Sequence, residues 1–236
     1  MIGKRLVIKR GSRDEAEKPF WISFADLMTA LMVLFLVVMG VALLAVTKNV
    51  SEREKLEDQH REDIELILER FTQAAKQYKG IKVDKGRRVI DFGDRARFAF
   101  GKSNLAVDQE SVLRQFVPEI LRLANDDLGK RVLKRVVVEG YTDKTGTYLS
   151  NLNLSLQRSQ RVLCTMFATS GVNLLTDLQK EEVRSIFLVG GYSFNAAKET
   201  DEESRRVEMR LELLGLGEQR AVAMAQTGNF GDCALR

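Results

Sequence analysis

From Phe20 to Val46 the chain reads FWISFADLMTALMVLFLVVMGVALLAV, a predominantly apolar run with one charged residue, Asp26. About 20 apolar residues cross a bilayer core at a helical rise of about 1.5 Å each, so a transmembrane helix is predicted over residues 19–47. A carboxylate ionised near the bilayer centre costs about 2.5–3.5 kcal/mol on insertion scales. A residue that carries such a cost points to work with protons, ions or a partner helix. Protonation removes most of the cost, so loading and releasing a proton at Asp26 would act as a switch in helix packing. At about 100° per residue, Ser23, Asp26, Ala30, Val33, Val37 and Gly40 share one face, and Met28, Met32, Phe35 and Met39 share the opposite one. The first face is small and smooth, suited to close helix contact. The Met/Phe stripe suits lipid or a partner groove, with lipid the default.

Charge around the run sets its orientation. Lys4, Arg5, Lys9, Arg10, Arg13 and Lys18 precede it, whereas basic and acidic residues mix from Lys48 to Lys55. The positive-inside rule then keeps the arm, residues 1–18, in the cytoplasm and exports the chain beyond the run. Trp21 falls where an interfacial aromatic belongs. A short arm beside a membrane span is poor ground for nucleic-acid binding, so no nucleic-acid partner is expected. Gly40-Val41-Ala42 resembles a signal-peptidase site, but the run is about twice the length of a typical signal-peptide core and carries Asp26, so an uncleaved anchor is expected.

The exported part has two sections. Residues 48–85 form a charged linker helix in which Ile64, Leu68, Phe71, Ala75 and Tyr78 recur at helical spacing, either as a short coiled coil or as a helix docked on the next domain. Residues 86–214 alternate strands and helices. RRVIDFG, LKRVVVEGY, RSIFLVGGY and RRVEMRLELL read as strands. VDQESVLRQFVPEILRLANDD, with Asp108 as N-cap, and NLSLQRSQRVLCTMFATSG read as helices. The fold class is therefore α+β, a βαβαββ sandwich with helices on one sheet face. Residues 215–236 form a patternless tail.

Cys164 and Cys233, the two cysteines, would both lie on the oxidising side, where a disulfide and two unpaired thiols are equally compatible with the sequence. His60, the one histidine, is expected on a solvated surface. No metal-ligand spacing, phosphate loop or catalytic constellation is present, so the expected chain is not an enzyme and needs no metal or cofactor.

The stretch VEGYTDKTGTYLSNLNLSLQRSQRV resembles the OmpA-like peptidoglycan-binding domain through Gly140, Thr142, Asp143, Gly146, Asn151, Leu154, Ser155 and Arg158. FAFGKSNL upstream, with GGYSFN and SRRVEMRL downstream, extends the resemblance over about 130 residues. Two departures stand out: Tyr141 replaces a usual histidine, and Ser204 stands where asparagine often precedes the paired arginines. The resemblance implies a groove of Asp143, Arg158, Asn151, Leu154 and Thr142 that holds the diaminopimelate stem of peptidoglycan. One carboxylate for an ammonium and one guanidinium for a carboxylate suit that zwitterion. The bland alternative is an Asp143–Arg158 salt bridge that closes a loop.

A second resemblance joins the two halves. A basic arm, the pattern W-x-x-x-x-D-L-M-T-A-L-M carried by Trp21, Asp26, Leu27, Met28 and Thr29, and an exported OmpA-like domain are similar to a MotB-type stator B subunit. The family implies that Asp26 relays protons, that two copies form a homodimer, and that they sit in a pentameric ring of a MotA-like or ZorA-like membrane subunit. The short linker most resembles the ZorB subunits of Zorya antiphage systems. A flagellar stator subunit, a passive wall anchor and a secreted peptidoglycan binder are the competing expectations.

Overall fold

The computed structural model describes residues 14–221 and 230–235, with side chains described from Trp21 onward. The basic residues up to Arg13 and the tail segment 222–229 lie outside the described residues. Two compact units emerge, residues 1–56 and 57–236.

Helix α1, Asp14–Ala75, contains both the apolar run and the charged segment. Its apolar part is long and hydrophobic enough to cross a membrane and is exposed from Trp21 to Val50. Trp21 packs edge-on against Phe24 with ring centroids 6.4 Å apart.

In the second unit the remaining elements are β1 (Lys82–Asp84), β2 (Val89–Asp91), α2 (Val107–Asn125), α3 (Asp127–Val132), β3 (Leu133–Gly140), α4 (Tyr148–Met166), α5 (Asp177–Ile186), β4 (Phe187–Gly191), α6 (Asp201–Ser204) and β5 (Val207–Leu213). They build a five-stranded sheet in the order β1-β2-β5-β3-β4. β3 and β4 run parallel, and the other neighbouring pairs are antiparallel. The α+β expectation and its βαβαββ order hold, with β1 added as an edge strand and three short α-helices and one 3-10 turn, Gly93–Ala96, inserted. The third strand begins at Phe187 because Asp177–Ile186 is helical, its start fixed by a Thr176/Gln179 capping box. Asp108 sits in the first turn of α2 and pairs with Arg95 at 3.3 Å, whereas the N-cap is Ala106.

The core lies on one sheet face. Strand residues Ile90, Val136, Val138, Val207, Met209 and Leu211 meet Leu113, Phe116, Val117 and Ile120 of α2 and Val162 and Met166 of α4. Ile67, Leu68, Phe71, Ala74 and Ala75 of α1 join the same cluster. Within this unit the helical stripe therefore docks on the domain, as one of its two sequence readings required. His60 is not simply solvated as expected: it is half-buried and its Nε2 lies 3.0 Å from the Leu214 carbonyl oxygen.

The opposite face is held by charge. Glu139 is fully buried, accepts from Arg210 Nε at 2.6 Å and Nη2 at 2.9 Å, and takes the Tyr141 hydroxyl at 2.6 Å. Glu208, also fully buried, accepts from Arg87 at 2.6 Å and Arg206 at 2.8 Å. Burial alone would push the Glu208 carboxyl up, but the hydrogen bonds from Arg87 and Arg206 outweigh it and hold the group below the ordinary carboxylate range.

The tail is tied down at both of its described ends. Arg220 donates to the carbonyls of Leu133, Ala124 and Gly129, capping the ends of α2 and α3. Cys233 forms a disulfide with Cys164 of α4, which resolves the pairing that the sequence left open. Phe230 packs on Phe167 with centroids 5.0 Å apart.

Candidate functional site

Two sites were expected, one on α1 and one in the folded domain. On α1, Asp26 lines a shallow groove with Thr29, Ala30, Val33, Leu34 and Val37. The groove combines Ala30 with the β-branched Thr29, Val33 and Val37, and Asp26 is the one ionisable group of the apolar run. The Thr29 hydroxyl lies 3.0 Å from the Ala25 carbonyl and 2.8 Å from that of Asp26, so its proton is engaged by its own helix.

In the domain, the C-terminal ends of β3 and β4 meet the first half of α4. The approach is close because position 140 lacks a side chain: a Cβ there would lie 1.9 Å from the Ser155 carbonyl oxygen. Ser155 then accepts the Ser193 amide at 3.1 Å, which binds α4 to the segment after β4. Beyond Gly140 the ladder continues, Tyr141 N donating to Arg206 O at 2.9 Å and Thr142 N to Ser193 O at 2.9 Å.

Asp143 leads into a loop whose turn depends on Gly146, at φ +100°. The Thr145 amide donates to Asp143 Oδ1 at 3.0 Å, and the Asn151 side-chain amide donates to the Thr145 carbonyl at 2.9 Å. Thr147 caps α4 by accepting from Ser150 N. Asn151 thus shapes the loop that presents Asp143. Leu154 is half-buried on the same helix. Thr142 is 1% exposed, and its Oγ1 is buried with no hydrogen-bond partner among the described residues.

Arg158 is fully buried. Its Nη1 donates to the Tyr141 carbonyl at 2.7 Å, its Nε to that of Lys102 at 3.0 Å, and its Nη2 to that of Ala99 at 3.3 Å. The guanidinium stacks over Phe98, 5.1 Å from the ring centroid. Burial pushes its pKa down to about 10, with Asp143 acting the other way and Arg205 reinforcing the fall.

The ion pair of Asp143 is made with Arg205, not Arg158. Arg205 Nη1 donates to Asp143 Oδ2 at 3.2 Å, and its Nε donates to the Phe98 carbonyl at 3.2 Å. The sequence marked the paired arginines only as a closing element and gave Arg205 no role. The two departures from the family pattern leave this arrangement intact. Tyr141 turns its ring to the charged sheet face, beneath the Arg206 guanidinium at 4.3 Å. Burial, together with the neighbouring Glu139, pushes its phenol pKa up. Ser204 is buried and bonds locally to the Thr200 carbonyl and the Lys198 amide, each at 2.8 Å.

No group of acidic, histidine or cysteine side chains suited to a metal occurs among the described residues.

Residues 7–51 match the family model described as "Membrane MotB of proton-channel complex MotA/MotB". Among solved structures, the chain is similar to the cell wall anchor of the T6SS from Pseudomonas aeruginosa, with 22% identity, coverage of 60% of this chain and 94% of that one, and a TM-score of 0.37. It is also similar to a putative MotB-like protein from Desulfovibrio vulgaris, with 18% identity, coverage of 67% and 97%, and a TM-score of 0.39. Scores that low carry no functional weight. A curated relative does: the Zorya protein ZorB of Escherichia coli O139:H28 (strain E24377A / ETEC) is 43% identical over 224 residues, 93% of this chain and 91% of that protein. At that identity over 93% of its length, the chain belongs to the ZorB family.

Proposed function

We propose that this chain is the wall-anchored inner-membrane B subunit of a proton-driven, stator-type complex acting in antiphage defence. One observation carries the reading: a membrane-length apolar run with a single carboxylate, Asp26, is joined in one chain to a domain whose Asp143 loop is built around charge. In this reading two copies sit inside a pentameric ring of a ZorA/MotA-like subunit. Asp26 takes a proton, the neutral helix side slides against a partner helix, and release restores the charge. The smooth groove around Asp26 supports close helix approach. The N-terminus lies in the cytoplasm and the domain in the periplasm. The Cys164–Cys233 bridge supports that orientation, because such bridges persist on the oxidising side.

The domain holds peptidoglycan through Asp143, Arg158, Asn151, Leu154 and Thr142. An ionised carboxylate has about four acceptor positions. Thr145 and Arg205 use two of them on Asp143, which leaves room for the ammonium of a diaminopimelate stem. Arg158 and Arg205 together outweigh the one carboxylate, so the ligand's own carboxylate is attracted. Arg158 spends three of its five N–H groups on carbonyls and is fully buried, so for it to meet that carboxylate directly the Ala99–Lys102 turn has to move aside. Thr142 Oγ1 is a buried polar atom that a ligand can satisfy.

Co-sedimentation of the full-length protein in detergent with diaminopimelate-type sacculi tests the anchor. Asp143→Ala and Arg158→Ala are each expected to weaken binding by about tenfold or more, since hydrogen bonds to charged groups contribute about 1.5–3 kcal/mol. Asp143→Asn, which preserves shape, guards against misfolding as the cause. Undiminished sedimentation of these variants would remove the clamp.

A further inference from the structure

Arg205 belongs to no role given by the family pattern, yet it touches both walls of the candidate wall-binding site. On one side it holds the Asp143 carboxylate at 3.2 Å. On the other it is locked to Phe98 in both directions, its Nε donating to the Phe98 carbonyl at 3.2 Å while the Phe98 amide donates to the Arg205 carbonyl at 2.8 Å. The next residues, Ala99 and Lys102, supply the carbonyls that Arg158 holds, and Lys102 N closes a turn on Ala99 O at 3.1 Å. The Phe98–Lys102 segment is therefore gripped by two guanidiniums, one of which also carries Asp143. The Arg205 side chain is 13% exposed, against 6% for Asp143. It is partly open to solvent, where Arg158 is sealed.

We infer that Arg205 is a positioning residue of this site: its forked guanidinium fixes the Asp143 carboxylate to the Phe98–Lys102 turn and so sets the spacing between the two walls. The inference rests on the wall-binding reading above. The fork matters, because a bridge between a carboxylate and a carbonyl needs two N–H groups at fixed separation. Lysine offers a single ammonium on a flexible stem. Without the bridge, Asp143 keeps its bond to the Thr145 amide but loses its tie to the opposite wall. Arg205 acts on ligand through Asp143 and is not assigned a ligand contact of its own.

The test uses full-length protein in detergent with two readouts. Hydrogen–deuterium exchange over residues 142–147 reports whether Asp143 is held, with or without a wall ligand. Co-sedimentation with diaminopimelate-type sacculi reports the site. Arg205→Ala is expected to speed exchange in that segment and weaken sedimentation about tenfold. Arg205→Lys, the variant that keeps charge and bulk, is expected to restore less than half of the loss in binding energy, that is, less than about threefold. In an Asp143→Asn background the Arg205→Ala loss should vanish, which a general loss of stability would not produce. Wild-type exchange and sedimentation in both variants, full rescue by lysine, or a loss that persists unchanged beside Asp143→Asn would each overturn the assignment. Wild-type protein that ignores sacculi would overturn the wall-binding reading on which it rests, while the exchange readout still decides whether Arg205 holds Asp143.

Discussion

Asp26→Asn is expected to reduce both proton flux and phage protection to the level of cells lacking the chain. Asparagine keeps the size of the side chain and its capacity for hydrogen bonds, but it cannot take up and release a proton. It also removes the cost of about 2.5–3.5 kcal/mol for an ionised carboxylate in the span, so insertion and abundance should not fall. The measurement pairs intracellular pH, read by a ratiometric fluorescent protein, with plaque counts in cells expressing the chain and its cognate membrane subunit. Asp26→Glu retains the titrating group and should keep part of both. If Asp26→Asn cells resist phage and conduct protons as wild type does, Asp26 serves only to bind a partner helix. Flagellar and defence outputs separate in the same strains, because only the first changes swimming.

Removing the Cys164–Cys233 bridge carries the second large effect. The bridge spans a sequence separation of 69 residues, which includes α5, β4, α6 and β5. In the chain-entropy account, closing a loop of that size limits the unfolded chain by about 4 kcal/mol. Half-buried Cys164 lies on α4, and Cys233 is exposed, so a reductant can reach the bridge. Cys164→Ser with Cys233→Ser is expected to lower the urea-unfolding free energy of the full-length protein by about that amount. Wild type pre-reduced with a thiol should unfold with the double variant, and the thiol should leave the double variant unchanged. A difference below about 1 kcal/mol would mean that the unfolded chain is already constrained in that region.

Much of the fold could be read from residue periodicity. The apolar run, the alternation of RRVEMRLELL and the amphipathic spacing of the α2 and α4 segments each match the element found there. The errors cluster where helix passes into strand without a glycine or proline between. α3 ends at Val132 and β3 begins at Leu133, and α5 ends at Ile186 where β4 begins at Phe187. Short helices of this kind contribute too few turns for a periodic signal, and only the Thr176/Gln179 box announced α5. The candidate site was legible as a set of residues but not as a set of partners. Asp143 and Arg158 stand out in the local motif, whereas Arg205 reaches Asp143 from 62 positions away. Which arginine neutralises a carboxylate is decided by tertiary approach, here by the pairing of β3 with β5, which sets Gly140 opposite Val207 and Tyr141 N on Arg206 O. The disulfide was unreadable for the same reason, since nothing local links the tail to α4.

The burial of Ile67, Leu68, Phe71, Ala74 and Ala75 also bears on where this protein can be cut. Spacing of the motifs suggests an autonomous module starting near Gly86, but that boundary would strip these five apolar side chains and Ile81 from the core and leave their sockets open to water. A secreted fragment, a crystallisation target or a graft onto another anchor needs to start no later than Glu57, where the compact unit itself begins. The helix that leads into the domain is thus also one of its walls, and any exchange of modules between proteins of this build has to carry that helix along.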